Sequence, residues 1–371
     1  MKPEEIKYFK ELTKDRSESA DTLDKPSMRG ARDNVVDKYS DQAHFIYELL
    51  QNADDVGAKE AFFELKSDEL IFYHNGNKHF SISNPETEEE DKENGELGDI
   101  NAICSVGQSN KGNDATIGKF GVGFKAVFQY TATPKIYDKT FQFKIERLFV
   151  PQIIEDNPTI HKDNNFTYFV FPFDRKDISQ KFAFTDISEK LESLTYPLLF
   201  LNNLTGIMCE YNKKSVKYDK KIIKQYNFDK TIAEKVVMTI TNDSNIKKTF
   251  MWLFTRKLEN GLKYSVGYVL DNKGAIKAVE RGAFCYFPTK EYTGLKFIVH
   301  APFLLTSSRE TVKANDAHNI DMVDKLSDLG RDSIIYLRDI GIQEGKLLID
   351  DDFLLYIIPR TKKTCIFFAR R

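Results

Sequence analysis

The sequence predicts a protein of two α+β domains. Its 371 residues are enough for two domains of ordinary size, each with its own core. An amphipathic helical pattern at 35–55 is followed by two short, aromatic strand patterns at 60–67 and 69–76. After residue 205, alternating β segments precede a helical stretch at about 316–340. Helices and strands are therefore expected in both halves of the chain.

The other segments complete this division of the chain. The N-terminal residues are polar and charged, which predicts a short helix and then a loop containing Pro26 and Gly30. An acidic run at 84–98, punctuated by glycine, predicts a solvated loop, and strands are expected around 134–150 and 166–173. The last residues, CIFFARR, lack a polar taper, so the chain could be the front part of a longer protein. The predicted divisions are an N-terminal helix and loop at 1–34, a first domain at 35–204 and a second domain at 205–371.

Composition narrows the classes of protein. With 41% hydrophobic and 30% charged residues, the chain has a folded rather than a disordered composition. Lys plus Arg number 54 and Asp plus Glu 56, so the net charge of −2 does not indicate nucleic acid or a membrane as partner. The four cysteines lie far apart without a CxxC pair, which favours a reduced compartment and no structural zinc. No apolar run approaches the ~18 residues of a membrane span, so we expect a cytoplasmic protein.

The helical stretch YELLQNADDVGA, at 47–58, carries an unusual polar register. At about 100° per residue, Glu48, Asn52 and Asp55 fall within roughly 60° of one another. Apolar residues gather on a different side of the same helix, namely Ile46, Leu49, Leu50 and Ala53. A solvated face in front of a core stripe is the plain interpretation. A polar pocket against the helix is the alternative.

The segment GKFGVGFKAVFQYT, at 118–131, begins with a glycine-rich stretch, GKFGVG, that opens an apolar helical pattern. Gly118, Gly121 and Gly123 permit the positive φ values and the close backbone approach that a phosphate needs. The N-terminus of a following helix adds N–H groups and the positive end of its dipole. A structural tight turn is an equal alternative. The stretch is not a Walker A loop, because GxxxxG is not followed by Lys and Ser or Thr, and it is not GxGxxG, because Ala126 stands at the third glycine position.

Taken in order along the chain, these motifs resemble those of the GHKL superfamily, the ATPases of gyrase, the ninety-kilodalton heat-shock chaperones, histidine kinases and MutL. IGKFGVGFKAVF is similar to the second glycine box of the chaperones, and ELLQNADD matches the N-box of the sacsin branch. GLKFIVHAPFLLTSSRETV, at 294–312, is similar to a segment of sacsin-like proteins. The resemblance covers about 35–175 with specific motifs and 280–315 more loosely. It implies a Bergerat-type α/β sandwich with a mixed sheet, followed by a transducer-like α+β domain.

The resemblance also implies roles for the polar helix residues. Glu48 matches the residue that positions and activates the attacking water, and Asn52 matches the ligand of Mg²⁺, a cation that prefers oxygen. Asp55 stands where the family places a carboxylate near the nucleotide. The backbone N–H groups implied to bind the phosphates belong to Gly118, Gly121, Val122, Gly123 and Phe124.

Several cations are candidates for the triphosphate. Lys111, in the SNKG segment, is a candidate lid lysine, and an ordinary exposed loop lysine is the alternative. Lys119 and Lys125 are further cations nearby, although Lys125 is expected to lie outward on its helix. Arg309, in TSSRE, matches a basic residue that related ATPases bring from the second domain to the γ-phosphate. A surface salt bridge is the alternative for Arg309.

The first glycine box departs from the superfamily's usual D-x-G-x-G. Here the stretch is HNGNKHF, at 74–80, with no Asp and with Lys at the second glycine. His74 takes the register of the Asp that accepts the adenine amino group, and Asn75 follows. A neutral imidazole or an amide oxygen could accept that bond, less strongly than a carboxylate. We favour Asn75 as the adenine reader, with His74 as the alternative; Thr167, in NFTYFVF, is implied to help hold the base.

The function implied by the resemblance is Mg²⁺-dependent ATP binding with slow hydrolysis, used as a conformational switch. Such a switch would be chaperone-like or part of a defence or assembly system, with an ATP-dependent homodimer and an unidentified protein client. A DNA-acting ATPase of the MutL, topoisomerase or MORC kind is one alternative, although the charge does not indicate nucleic acid. A degenerate, non-hydrolysing nucleotide-binding module is the other. No membrane partner is expected.

Overall fold

The computed structural model describes seven stretches of the chain: 1–28, 45–105, 124–155, 163, 165–243, 245–306 and 310–349. The chain divides into two compact units. The first unit comprises Met1–Leu194 with Asn202–Lys217, and the second comprises Thr195–Leu201 with Tyr218–Arg371. Among the described residues, no helix combines the length and the apolar character needed to cross a membrane.

The first unit begins with a helix that is longer than predicted. Helix α1 spans Pro3–Leu23, with proline and two glutamates in its first turn, where a missing N–H and negative charge are favourable. It buries Phe9 and Leu12. The Thr13 hydroxyl donates to the carbonyl of Pro151 at 2.9 Å, which ties the helix to a strand of the same unit. The predicted short helix is therefore an integral part of the first unit.

The sheet of the first unit is mixed, as predicted. Its strand order is β7-β1-β2-β6-β3-β4-β5. Strand β1 pairs parallel with β7, and the other pairs in this order are antiparallel. The strands are β1 (Glu60–Leu65), β2 (Glu69–His74), β3 (Lys135–Tyr137), β4 (Gln142–Glu146), β5 (Val150–Ile153), β6 (Thr167–Pro172) and β7 (Gly206–Tyr211). Aromatic and β-branched residues fill this sheet, which suits a pleated, buried surface.

The remaining helices of the first unit correct three expectations. They are α2 (Phe45–Asp55), α3 (Glu88–Glu93), α4 (Asp99–Ile103), α5 (Gln180–Glu192) and 3-10 helices at Pro26–Met28, Pro85–Thr87 and Phe124–Gln129. The acidic run predicted as a loop contains α3, because four acidic residues lie in its first turn and favour a helix N-terminus. The apolar helix expected after the glycine-rich stretch is a 3-10 helix. Helix α5 was not predicted, and Ser179 caps it by accepting from the Phe182 N–H at 3.2 Å.

The second unit is also α+β, as predicted. Its strands follow the order β13-β12-β14-β11-β10-β9, and β12 pairs parallel with β14. The strands are β8 (Lys214–Phe228, of which Tyr218–Phe228 belongs to this unit), β9 (Thr231–Asn242), β10 (Asn245–Lys257), β11 (Lys263–Val269), β12 (Gly282–Cys285), β13 (Phe287–Tyr292) and β14 (Ile298–His300). Helix α6 (Ala317–Glu344) begins at its cap Asp316 and ends at Gly345 in the left-handed region. Its buried side chains pack against Trp252, Phe254 and Tyr268 of the sheet.

Candidate functional site

Helix α2 buries two of its three selected polar residues. Glu48 is 8% exposed and Asn52 is 6% exposed, and they lie one helical turn apart on the same face. The solvated-face interpretation is therefore wrong for this pair. Asp55, the last residue of the helix, is exposed. The helix contacts the 3-10 helix at Phe124–Gln129, the element that directly follows the glycine-rich stretch.

Asp54, which the sequence reasoning passed over, is the buried carboxylate at this end of the helix. It is 2% exposed, and its two oxygens accept from the backbone N–H groups of Asn202, Asn203 and Leu204 at 2.6–2.9 Å. The Asn203 side-chain amide donates to the Asp54 carbonyl at 3.0 Å. Asp54 thus fixes the chain that leads into β7, beside the strand β1. The helical period already distinguishes the two residues, because Asp54 lies one turn after Leu50, beside the apolar side, whereas Asp55 falls in the polar register.

A small cavity lies at the end of β2, and it contains two of the sequence-selected residues. We call it the β2 cavity, and its lining residues are Val56, His74, Lys78, His79, Phe80, Asp99 and Thr167. His74 and Thr167 are directly opposite each other in the β2–β6 register, so their side chains lie on one face of the sheet. The cavity has a volume of about 10 Å³. That volume is about the space of one water molecule.

The backbone around the β2 cavity depends on Gly76. A Cβ atom at this position would lie 2.5 Å from the Val56 Cγ2 and 3.1 Å from the Val56 carbonyl oxygen. The turn after β2 therefore lies so close to Val56, just beyond helix α2, that a side chain at position 76 would force Val56 to move. The Asn77 N–H also donates to the Val56 carbonyl at 3.2 Å. The glycine of the HNG stretch is needed for packing between the helix and the sheet.

The structure does not support the preference for Asn75 as the adenine reader. The Asn75 Oδ1 accepts from the N–H groups of Lys59 and Glu60, both at 2.9 Å, so it holds the start of β1. Asn75 is also not among the residues that line the β2 cavity. His74, the alternative, does line it. The oxygen that would read the base is already engaged by two donors.

His74 is a buried, neutral imidazole. It is 3% exposed, and its Nδ1 accepts from the Gly76 N–H at 3.2 Å. Burial lowers the pKa of His74 to about 4, although the nearby Asp138 carboxylate opposes this shift. At neutral pH the ring therefore carries one proton. Because Nδ1 accepts, that proton is on Nε2.

Asp138, which follows β3, is a buried carboxylate that the sequence reasoning missed. Its side chain is fully buried, and its Oδ1 accepts from the Thr167 hydroxyl at 2.9 Å. The same oxygen lies 2.9 Å from the Nδ1 of His79, and Oδ2 accepts from the Thr140 N–H at 3.3 Å. An acidic residue directly after an apolar strand was the available signal. Only the pairing of β3 with β6 shows that it reaches Thr167.

The residues after the glycine-rich stretch are buried. Phe124 is 1% exposed, and Lys125 is 2% exposed, so the expectation that Lys125 lies outward is wrong. Burial lowers the pKa of Lys125 to about 8. Among the described residues, its Nζ has no hydrogen-bond partner. The nearby Arg16 guanidinium also lowers the pKa of Lys125, whereas the Cys104 thiol raises it.

Seven of the predicted site residues lie outside the described part of the chain. They are Lys111, Gly118, Lys119, Gly121, Val122, Gly123 and Arg309. Their predicted roles toward the phosphates therefore stay predictions.

Comparison with known protein families finds a match to the first part of the chain. The model of the sacsin domain matches residues 30–163. This segment of the chain is similar to a sacsin domain. This match confirms the branch that the ELLQNADD motif indicated.

One curated protein and two solved structures are similar to parts of this chain. Protein NO VEIN of Arabidopsis thaliana is 28% identical over 318 residues, which cover 76% of this chain and 11% of that protein. Two solved structures are similar to it: the ATP-binding domain of topoisomerase IV from Francisella tularensis, bound to a small-molecule inhibitor, and the B-subunit of DNA gyrase from Myxococcus xanthus. The first is 14% identical with a TM-score of 0.29, covering 52% of this chain and 58% of that one. The second is 7% identical with a TM-score of 0.33, covering 52% and 60%. At such TM-scores, no property of either protein is transferred to this chain.

The buried oxygens of helix α2 are of the kind that Mg²⁺ accepts as ligands. Among the described residues, no group of three or more His, Cys, Asp or Glu side chains could hold a metal ion. Helix α2 instead offers one carboxylate and one amide oxygen, from Glu48 and Asn52. Mg²⁺ takes few protein oxygens and completes its shell with water and phosphate. The buried pair on α2 fits that kind of binding.

Proposed function

We propose that this sacsin-like chain binds ATP with Mg²⁺, hydrolyses it slowly and uses the nucleotide as a conformational switch. The observation that carries the proposal is the burial of Glu48 and Asn52 on one face of helix α2. The helix holds these two groups one turn apart and away from solvent, which is the spacing that the resemblance implies for the water-activating carboxylate and the ligand of Mg²⁺. His74 and Thr167, which line the β2 cavity, are residues that the resemblance implies for the base, and the glycine-rich stretch is the segment that it implies for the phosphates.

Each residue of the proposed site has a separate task. Glu48 accepts the proton of the attacking water or orients that water. Helix α2 keeps this side chain buried. Asn52 would hold Mg²⁺ through its side-chain oxygen. When bound, Mg²⁺ neutralises charge on the triphosphate and orients it. Asp55 stays a candidate contact at the exposed end of the helix.

The proposal is tested by calorimetric titration of the whole chain with a non-hydrolysable ATP analogue, with and without Mg²⁺. Saturable binding that depends on Mg²⁺ is expected. Absence of binding at millimolar ligand would contradict the proposed function. Salt-dependent binding of DNA would favour the DNA-acting alternative, because phosphate contacts release counterions.

Two substitutions separate hydrolysis from binding. Glu48→Ala should nearly abolish hydrolysis and leave binding largely intact, because it removes the water-activating group without touching phosphate contacts. Asn52→Ala should weaken both, since it removes the metal ligand. Glu89→Ala is the matched control, because Glu89 is 86% exposed on helix α3. Hydrolysis at the parental rate by Glu48→Ala would refute the assignment of the base.

The switch requires that ATP and ADP differ in their effect. A ligand shifts a conformational equilibrium only by its difference in affinity for the two states. The non-hydrolysable ATP analogue should therefore raise the apparent mass toward that of a homodimer, and ADP should not. A monomer with both nucleotides would leave nucleotide binding without a switch. The chaperone-like role, the protein client and the cytoplasmic location remain predictions.

A further inference from the structure

Strand β8 extends beyond the strand that pairs with it on one side. In the order of the sheet it lies between β7 and β9. Strand β7 has six residues and β8 has 15, and the turn between them, Asn212 and Lys213, has the two positive φ values of a type I′ hairpin. The pairing with β7 therefore begins at Lys214 and covers only the first part of β8. From about Lys220 to Phe228, β8 has β9 on one side and no described strand on the other.

The turn between β8 and β9 determines which backbone groups point away from β9. Strand β8 ends at Phe228 and β9 begins at Thr231, so a two-residue turn makes these two residues a hydrogen-bonded pair. In an antiparallel pair only every second residue of a strand bonds to its neighbour, and the residues between direct their N–H and C=O groups to the other side. The residues directed away from β9 are Lys221, Ile223, Gln225 and Asn227. We call this row the β8 edge.

Side chains at the β8 edge are open to solvent on both faces of the strand. Ile222 is 47% exposed and Ile223 is 44% exposed, and Lys221 and Gln225 are exposed as well. Edge strands of folded proteins avoid adjacent exposed apolar residues beside outward N–H and C=O groups, because another strand can add to such an edge. An added strand would satisfy the outward backbone groups and cover Ile223.

The charge of this part of β8 selects the kind of strand that can be added. Residues 220–228 include Lys220, Lys221 and Lys224 and contain no Asp or Glu. Glu344 pairs with Lys224 at 2.9 Å, so the segment keeps a positive charge. A second copy of the strand would bring lysines against lysines, and like charges across neighbouring strands are destabilising. A strand that carries Asp or Glu gains opposite-charge pairs instead.

We propose that the β8 edge binds an extended, acidic segment of a partner protein as an added β-strand. The outward N–H and C=O groups of the edge hold the main chain of the partner, and the alternating side chains supply the selectivity. Ile223 gives an apolar contact, and Lys221 gives the preference for acidic residues. The interaction needs no nucleotide, so it is independent of the proposed binding of ATP.

Three fluorescent peptides test the proposal on the whole chain, without nucleotide. The first alternates glutamate with valine and is as long as the segment 221–227. The second has lysine in place of glutamate, and the third is the glutamate peptide with a methyl group on every interior amide nitrogen. Anisotropy should show saturable binding of the glutamate peptide. The other two should bind at least about tenfold more weakly, because one loses the charge pairs and the other loses its N–H donors.

Substitutions on the strand separate the backbone contacts from the charge. Gln225→Pro removes an N–H that points away from β9, a place in a sheet where proline is tolerated. It should weaken binding of the glutamate peptide about tenfold, whereas Gln225→Ala should bind like the parent. Lys221→Glu should weaken binding about threefold, and Lys273→Glu, the same charge change in an exposed turn, should not. Urea denaturation of Gln225→Pro checks that this variant is folded.

Each outcome decides one part of the proposal. Equal binding of the methylated and unmethylated glutamate peptides, or unchanged binding by folded Gln225→Pro, would refute strand addition. Equal binding of the lysine peptide would refute the preference for an acidic partner. Absence of binding by the glutamate peptide would overturn the proposal, and self-association of the chain that Gln225→Pro abolishes would then identify a second copy as the occupant. Because no nucleotide is present, a failure of ATP binding would leave this assignment intact.

Discussion

Replacing Asp54 with alanine tests whether one buried carboxylate holds the connection into β7. Its oxygens accept from three consecutive backbone N–H groups, of Asn202, Asn203 and Leu204. Alanine leaves all three donors without this acceptor. A donor that stays buried then loses its hydrogen bond without gaining water, whereas an exposed donor turns to solvent.

The expected magnitude follows from how buried each donor is. Leu204 is 1% exposed, so its unpaired N–H should destabilise the folded state by the full desolvation penalty of about 1–3 kcal/mol. Asn203 is half-buried and Asn202 is exposed, so their losses should be smaller. The sum for Asp54→Ala is a decrease of about 2–4 kcal/mol in the free energy of unfolding. Asp54→Asn, which keeps one oxygen acceptor, should fall between the parent and alanine.

Urea denaturation followed by far-ultraviolet circular dichroism measures this change. Hydrogen exchange of peptides covering 202–211 should show faster exchange at the same time, because the loop N–H groups lose their acceptor. Glu89→Ala is the control, since its ion pair with Lys92 is exposed and should contribute under about 0.5 kcal/mol. A decrease below about 1 kcal/mol for Asp54→Ala, or unchanged exchange at 202–204, would refute the reasoning.

Two further predictions concern buried titratable groups. Burial lowers the pKa of Lys125 from 10.5 to about 8. The buried ammonium therefore destabilises the folded state below about pH 8. This destabilisation disappears as the pH rises from 8 to 10.5. Lys125→Met should raise the free energy of unfolding at pH 7 by about 1–3 kcal/mol, and this gain should shrink between pH 8 and 10.5; a pH-independent gain would contradict the cause. Burial lowers the pKa of His300 from 6.5 to about 3, so the free energy of unfolding should fall as the pH falls from 6.5 toward 3. His300→Asn, whose amide oxygen can accept from the Tyr286 N–H in place of the ring, should reduce that acid dependence in denaturation curves, and an unchanged slope would count against His300 as its source.

Helices and strands could be predicted where apolar residues recur at the period of a helix or of a strand. The aromatic strand patterns at 60–67 and 69–76 correspond to β1 and β2, because alternating and continuous apolar runs both favour a buried strand. The register of Glu48 and Asn52 on α2 also follows from the helical period alone. Helix α5 has a weak amphipathic pattern, with Phe182 57% exposed, and was missed for that reason.

Contacts between distant segments could not be predicted. The helical period places Asp54, and not Asp55, beside the apolar side of α2, but only the return of the chain at 202–204 supplies the N–H groups that Asp54 accepts from. Asp138 lies 29 residues from Thr167, and their hydrogen bond exists because Tyr137 pairs with Tyr168 in the β3–β6 register. Sequence periodicity determines which face of an element a residue occupies. It does not determine which other element covers that face.

The departure from D-x-G-x-G at 74–80 leaves a buried carboxylate close to the β2 cavity. His74 stands where the superfamily pattern has a carboxylate, yet a carboxylate is still present one step further from the cavity, on Asp138. Its Oδ1 is used by Thr167 and His79 and its Oδ2 by Thr140, so it acts through these side chains. The Nδ1 of His74 also has a partner, the Gly76 N–H. These hydrogen bonds join the turn after β2 to the residue after β3 and to the start of β6, so the loss of the Asp at position 74 leaves a hydrogen-bonded polar cluster rather than unpaired buried groups.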